Sequence, residues 1–140
     1  MSIWHGVHTL ESLNAGNERT MTRLLDIVFT EIGDDFIRGS MPVDERTHQP
    51  YGLLHGGASV TLAETLGSTG ASMCVDQTRY RCLGQEINAN HVRSARTGLV
   101  TGTARPLHIG GRSQVWSIDI NDDAGELVCV SRLTMAVLRT

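Results

Sequence analysis

Small and apolar residues run almost unbroken from Gly57 to Val75, interrupted only by serines, threonines and one carboxylate, Glu64. Between Arg46 and Asp76, Glu64 is the only Asp, Glu, Lys or Arg. Pro50 and several glycines punctuate the approach, and no proline follows until Pro106, so the spacing predicts one long helix over Gly57–Val75. A surface helix carries a charged face. This stretch has none, so most of its circumference is expected to be buried.

Around that helix the pattern changes twice. Upstream, Thr9–Asn14 predicts a short helix capped by Thr9, and Asn17–Leu25 a second helical turn. Ile27–Ile32 alternates as a strand, Gly33-Asp34-Asp35 signals a turn, and Phe36–Val43 predicts the partner strand of a hairpin. Asp44–Leu54 is expected to be a loop. Downstream the period falls to two, predicting strands over Arg81–Val92, Gly98–Leu107, Ser113–Asn121 and Leu127–Leu138, with Asn121–Gly125 as a hairpin turn. A hairpin, one long buried helix and four consecutive antiparallel strands give an α+β class. A sheet curled around a single, nearly uncharged helix is the hotdog architecture, with residues 1–140 forming one domain.

A lone carboxylate in such a helix needs a reason. The neighbours of Glu64 at three and four residues are Val60, Thr61, Gly67 and Ser68, so no ion pair along the helix is available. Burying an unpaired charge is costly. Glu64 therefore emerges through a gap in the packing, meets a distant Arg, or is a reactive carboxylate. The helix start offers the complementary chemistry. Its leading N–H groups have no internal acceptor and its dipole is positive there. Gly56 N–H is thus a candidate donor to a carbonyl oxygen that gains charge during acyl transfer. Eight residues separate Gly56 from Glu64, or roughly 12 Å of helix rise. One small reacting group cannot touch both, so a shared site needs two copies of the chain.

Composition narrows the choice. With 140 residues and a net charge of −3, the chain lacks the basic surplus of a general nucleic-acid binder. The N-terminus, Met1–Gly6, has no signal-peptide pattern, and Leu53–Val75 is too rich in Gly, Ser and Thr for a membrane span. A cytoplasmic protein is the expectation. Cys74, Cys82 and Cys129 are widely spaced and form no CxxC, so free thiols are expected. His48, His55, His91 and His108 make no HxH or HxxxH pair, which disfavours zinc. No GxSxG elbow exists for a serine hydrolase, and Cys74 has no evident activating base.

Taken together, His55-Gly56-Gly57 followed by Ala63-Glu64, with Gln49-Pro50 upstream, resembles the hotdog-fold acyl-CoA thioesterases of the PaaI-like group. Within it the YdiI and EntH branch, related to Arthrobacter-type 4-hydroxybenzoyl-CoA thioesterases, is most similar. The run Met41–Asp44, Thr47, Gly52–Ser59, Leu62–Glu64, Glu86–Arg96 and Pro106–His108 carries the resemblance over nearly the whole chain. It implies a tetramer, a dimer of dimers with active sites at the dimer interface. It implies Glu64 as nucleophile or general base and Gly56 N–H as the group polarising the thioester carbonyl. Gln49 and His55 would position thioester and water, Ser68 would assist near Glu64, and His91 would line the site. For coenzyme A it points to Gly84, the strand His91-Val92-Arg93-Ser94, and the turn His108-Ile109-Gly110-Gly111-Arg112-Ser113. Arg93, Arg96 and Arg112 could meet phosphates. The implied partner is acyl-CoA, with acyl carrier protein as the other carrier; no cofactor, metal, nucleic acid or membrane is called for. The alternatives are a hotdog hydratase or dehydratase, which would want a differently placed Asp/His pair, and a binding module without catalysis. Aromatic and medium-chain acyl groups are both left open.

Overall fold

In a computed structural model that describes all 140 residues, the elements follow in the order α1 (Leu10–Ala15), α2 (Met21–Leu24), β1 (Val28–Ile32), β2 (Ile37–Pro42), α3 (Gly56–Met73), β3 (Tyr80–His91), β4 (Leu99–Ile109), β5 (Ser113–Asn121) and β6 (Leu127–Arg139). Each expected element is present, with ends displaced by a few residues. Thr9 caps α1 as expected, its side chain accepting from Ser12 N–H. The long helix begins one residue early because the His55 carbonyl already accepts from the N–H groups of Ala58 and Ser59. It ends before Val75 because Cys74 and Val75 fold back onto the carbonyls of Ala71 and Ser72, tightening the last turn.

The six strands form one antiparallel sheet in the order β1-β2-β4-β5-β6-β3. Strands β3 and β4, consecutive in the chain, are not neighbours. Helix α3 carries the chain from β2 to the far edge, where β3 pairs with β6, and β4 then returns to pair with β2. This is the hotdog arrangement. The outer edge of β3 is unpaired within the chain, and most of its residues are exposed. Its pairing with β6 skips one residue, Gln85, between Gly84 and Glu86.

The helix docks through Ser59, Leu62, Ala63, Leu66, Gly67, Gly70 and Met73, all buried at spacings of three and four. The Leu66 methyl groups lie over Gly39 of β2 and Gly102 of β4, where an added Cβ would come within 2.8 and 2.6 Å of them. Trp116, Ile118, Ile120, Leu133 and Met135 complete the core from β5 and β6. Trp4 stacks on Trp116 at 6.2 Å between ring centroids and donates to the Gly33 carbonyl, which ties the N-terminal segment to the sheet.

One expectation needs correcting. Only one stripe of α3 is buried; Thr61, Glu64, Thr65, Ser68, Thr69 and Ser72 are half-buried along the other face. That face avoids charge by a different route. The hydroxyls of Thr61, Thr65 and Ser68 donate to the carbonyls of Gly57, Thr61 and Glu64 one turn earlier, at 2.9, 2.7 and 2.6 Å. Leu66→Ala, which removes the methyls seated on both glycines, is expected to lower stability by about 2–5 kcal/mol. Urea unfolding followed by circular dichroism measures it.

Candidate active site

The loop before α3 is held on three sides. Thr47 Oγ1 donates to the Pro42 carbonyl at 2.9 Å, and the Thr47 carbonyl accepts from His55 N–H at 2.7 Å. Leu54 N–H donates to the Ala95 carbonyl, and His48 Nε2–H donates to the Arg96 carbonyl at 2.8 Å. Arg46 bridges Asp44 and Asp26, and its guanidinium hydrogen bonds hold both carboxyls below their ordinary range. Those bridges hold at neutral pH and weaken as acid protonates the two aspartates.

The segment this anchoring presents forms one wall of a cleft of about 300 Å³ lined by Gln49, Leu53, Leu54, Gly56, Ser59, His91, Val92, Arg93, Ser94 and Val128. Six of the residues singled out in the sequence therefore share one cleft: Gln49, Gly56, His91, Val92, Arg93 and Ser94. Its free hydrogen-bonding groups are few and specific. Gln49 Oε1 accepts from the N–H groups of Tyr51 and Leu53, at 2.5 and 3.4 Å, which leaves the Nε2 amide without an acceptor. Gly57 N–H is taken by His55 Nδ1 at 2.8 Å, and those of Ala58 and Ser59 by the His55 carbonyl. Gly56 N–H alone at the helix start has no acceptor in the chain. The imidazole of His91 packs over this glycine, its Nε2 lying 2.7 Å from where a Cβ would sit. Ser59, 1% exposed, lines the same cleft with no hydrogen bond to its hydroxyl. The sequence reading passed over it; its one signal was its position one turn beyond Gly56.

Glu64 lies elsewhere. Its carboxylate rests against Gly84 of β3, the contact that a side chain at 84 would displace. None of the seven ion pairs includes it, and no hydrogen bond reaches its side-chain oxygens. Ser68 lies one turn on, its hydroxyl committed as donor to the Glu64 backbone carbonyl. His55 is exposed, and its ring serves as the cap of α3. Of the turn from His108 to Ser113, Ile109, Gly110 and Gly111 line a notch beyond the other end of the helix, shared with Cys74, Val75 and Tyr80. Arg93 pairs loosely with Glu126 at 3.5 Å, whereas Arg96 and Arg112 enter no ion pair. A single chain thus holds the two halves of the expected chemistry apart. No three or more His, Cys, Asp or Glu side chains converge as a metal would need.

An uncharged helix start with a free amide, in a cleft that also holds a free carboxamide, suits a carbonyl oxygen that becomes negative. The family comparison agrees in kind: the model for the thioesterase superfamily matches residues 51–129. The chain belongs to the thioesterase superfamily. It is 56% identical to the 1,4-dihydroxy-2-naphthoyl-CoA hydrolase of Escherichia coli over 136 residues, covering 97% of this chain and 99% of that protein. It is 50% identical to the proofreading thioesterase EntH of Cronobacter sakazakii over 136 residues, covering 97% and 98% of the two chains. Among solved structures, a mutant of thioesterase PA1618 from Pseudomonas aeruginosa superposes with a TM-score of 0.98 at 49% identity, covering 99% of this chain and 100% of that one. The protein is a thioester hydrolase, which sets aside the hydratase and the binding-only readings.

In this thioesterase the cysteines take no part that the geometry supports. Burial, with a smaller contribution from Cys82, pushes the Cys74 thiol up to about 12; burial also raises Cys82 and Cys129. Alkylation needs the thiolate. Iodoacetamide at pH 8 is expected to label the native protein slowly and the urea-unfolded protein at all three sites, as read by intact mass. The cap role of His55 is separable from chemistry. His55→Ala is expected to cost about 1 kcal/mol of stability, and His55→Asn to recover most of it, because asparagine also caps well. Thermal unfolding of the two variants checks this.

Proposed function

We propose that this thioesterase hydrolyses acyl-CoA to the free acid and CoA, in a site built from two copies of the chain. Gln49, Gly56 and His91 of one copy would face Glu64 of the other. The free N–H of Gly56 carries the reading, because every other amide at that helix start has an acceptor. Two further features support a paired site. The outer edge of β3 offers unpaired backbone groups to a second β3. On the outward face of α3, the hydroxyls of Thr61, Thr65 and Ser68 are already satisfied within their own helix, so a partner can cover them without stranding those donors. Assembly as a dimer of dimers and a place in the cytoplasm belong to the same proposal.

The thioester carbonyl would sit with its oxygen on Gly56 N–H and the Gln49 amide, both donors where negative charge develops. In one route Glu64 takes a proton from water as the water oxygen bonds to the carbonyl carbon. In the other, a Glu64 oxygen adds directly, and water then cleaves the resulting anhydride. Either way the C–S bond breaks, and CoA leaves as thiolate and is protonated. A single turnover in ¹⁸O-water separates the routes, since only the anhydride route can leave label in Glu64. The unpaired arginines Arg96 and Arg112, with Arg93, are available to CoA phosphates. The name of the Escherichia coli relative, a dihydroxynaphthoyl-CoA hydrolase, favours an aromatic acyl group, carried by CoA or by an acyl carrier protein.

Glu64→Gln is expected to lower kcat roughly a hundredfold or more with little change in KM, and Gln49→Ala to lower kcat by a smaller factor. Thiol release from a panel of aryl-, medium-chain and 3-hydroxyacyl-CoAs measures both. A Glu64→Gln enzyme turning over at the wild-type rate would overturn the carboxylate mechanism.

A further inference from the structure

One side-chain nitrogen, Asn17 Nδ2, is shut off from solvent yet has no hydrogen-bond partner. Buried donors are nearly always paired, so an unpaired one calls for a reason. The backbone around it is fully used. Asn17 N–H donates to the Asn14 carbonyl, and the Asn17 carbonyl accepts from Thr20 N–H and Thr20 Oγ1. Asn14 in turn grips the backbone of Phe29 in both directions, donating to its carbonyl at 3.0 Å and accepting its N–H at 2.9 Å. The turn after α1 is therefore pinned to β1, and the backbone that carries the Asn17 carboxamide is fixed.

That place is the wall of a second cleft, of about 330 Å³, between α1, β1, α3 and the start of β3. The cleft adjoins the carboxylate. Ser68, one turn after Glu64, lines it, and so does Cys82, two residues before the Gly84 on which Glu64 rests. Leu13, Phe29 and Met73 supply apolar walls. Of the polar groups around it, Ser68 donates to its own helix and the Gln77 amide to the Ser72 carbonyl, whereas the Thr69 and Ser72 hydroxyls on the α3 wall are free to turn either way. The Asn17 amide does not donate, and rotation about its soft terminal torsion presents the N–H to an occupant.

Resting on the assignment of Glu64 above, we propose that this cleft takes the acyl group and that Asn17 sets its selectivity. The amide donates to an oxygen carried on the acyl group away from the thioester. A ring with a hydroxyl gains that hydrogen bond, whereas the same ring without it leaves the donor unpaired.

The test compares benzoyl-CoA with 2-, 3- and 4-hydroxybenzoyl-CoA, in wild type, Asn17→Leu (similar volume, no donor) and Asn17→Ala. Calorimetric Kd values on the Glu64→Gln background give a readout independent of turnover, and kcat/KM on the active enzyme gives the second. At least one hydroxybenzoyl ester is expected to be favoured over benzoyl by roughly tenfold or more in wild type. Both Asn17 variants are expected to bring that ratio to about one while leaving benzoyl-CoA within roughly threefold. An unchanged ratio overturns the proposal. So does an equal loss on all four esters, which, with lowered thermal stability, would make Asn17 a structural residue. Discrimination in Kd that Asn17→Leu removes, without turnover in any enzyme, would uphold Asn17 and overturn the hydrolytic role of Glu64 instead.

Discussion

The molecule depends on how an uncharged helix can lie inside a curled sheet. Close approach is possible because Leu66 drops its methyls onto Gly39 and Gly102, where no side chain intervenes. The other face does with little charge, because the hydroxyls of Thr61, Thr65 and Ser68 are satisfied by the helix's own carbonyls. With those two conditions met, Glu64 is the sole ionisable group along α3, and its carboxylate has neither cation nor donor within its own chain. The fold isolates one carboxylate by removing everything in its own chain that could neutralise it.

The same economy marks the loop before the helix. Thr47, His48, Leu54 and His55 use their main-chain and side-chain groups to fix the loop in place. What is left over is the Gly56 N–H and one end of the Gln49 carboxamide. A thioester carbonyl wants fixed donors that need no rearrangement as charge develops. Here they are fixed because their neighbours' groups are all engaged. His55 illustrates the division of labour: its ring occupies the next amide along, which leaves the glycine amide as the one available.

Much of this was legible in the sequence, for identifiable reasons. The lack of charge between Arg46 and Asp76 announced the helix, and strict alternation announced β4, β5 and β6. The capping role of Thr9 followed from residue type. The position of β3 did not, because its alternation says that it is a strand and nothing of its partner. Burial of α3 was overestimated, since serine and threonine look equally neutral whether buried or bonded back to the helix. That Gln49 and Gly56 share a cleft agrees with their place in one motif, but the free hydroxyl of Ser59 and the unpaired amide of Asn17 could not be read from residue type. Whether a polar group is paired depends on what surrounds it, and surroundings are a property of the folded chain.

The skipped residue in β3 has a geometric effect out of proportion to its size. Side chains along a strand alternate between faces, so residues an odd number apart look opposite ways. Gly84 and His91 are seven apart, yet one lies under Glu64 and the other over Gly56, both toward the helix. Gln85, left out of the ladder, resets the alternation: Cys82 and Gly84 face α3 before it, and Ile87, Ala89 and His91 face the core side after it. A single unpaired residue thus acts as a phase shifter, turning the residues that meet Glu64 and Gly56 onto the same side of one strand.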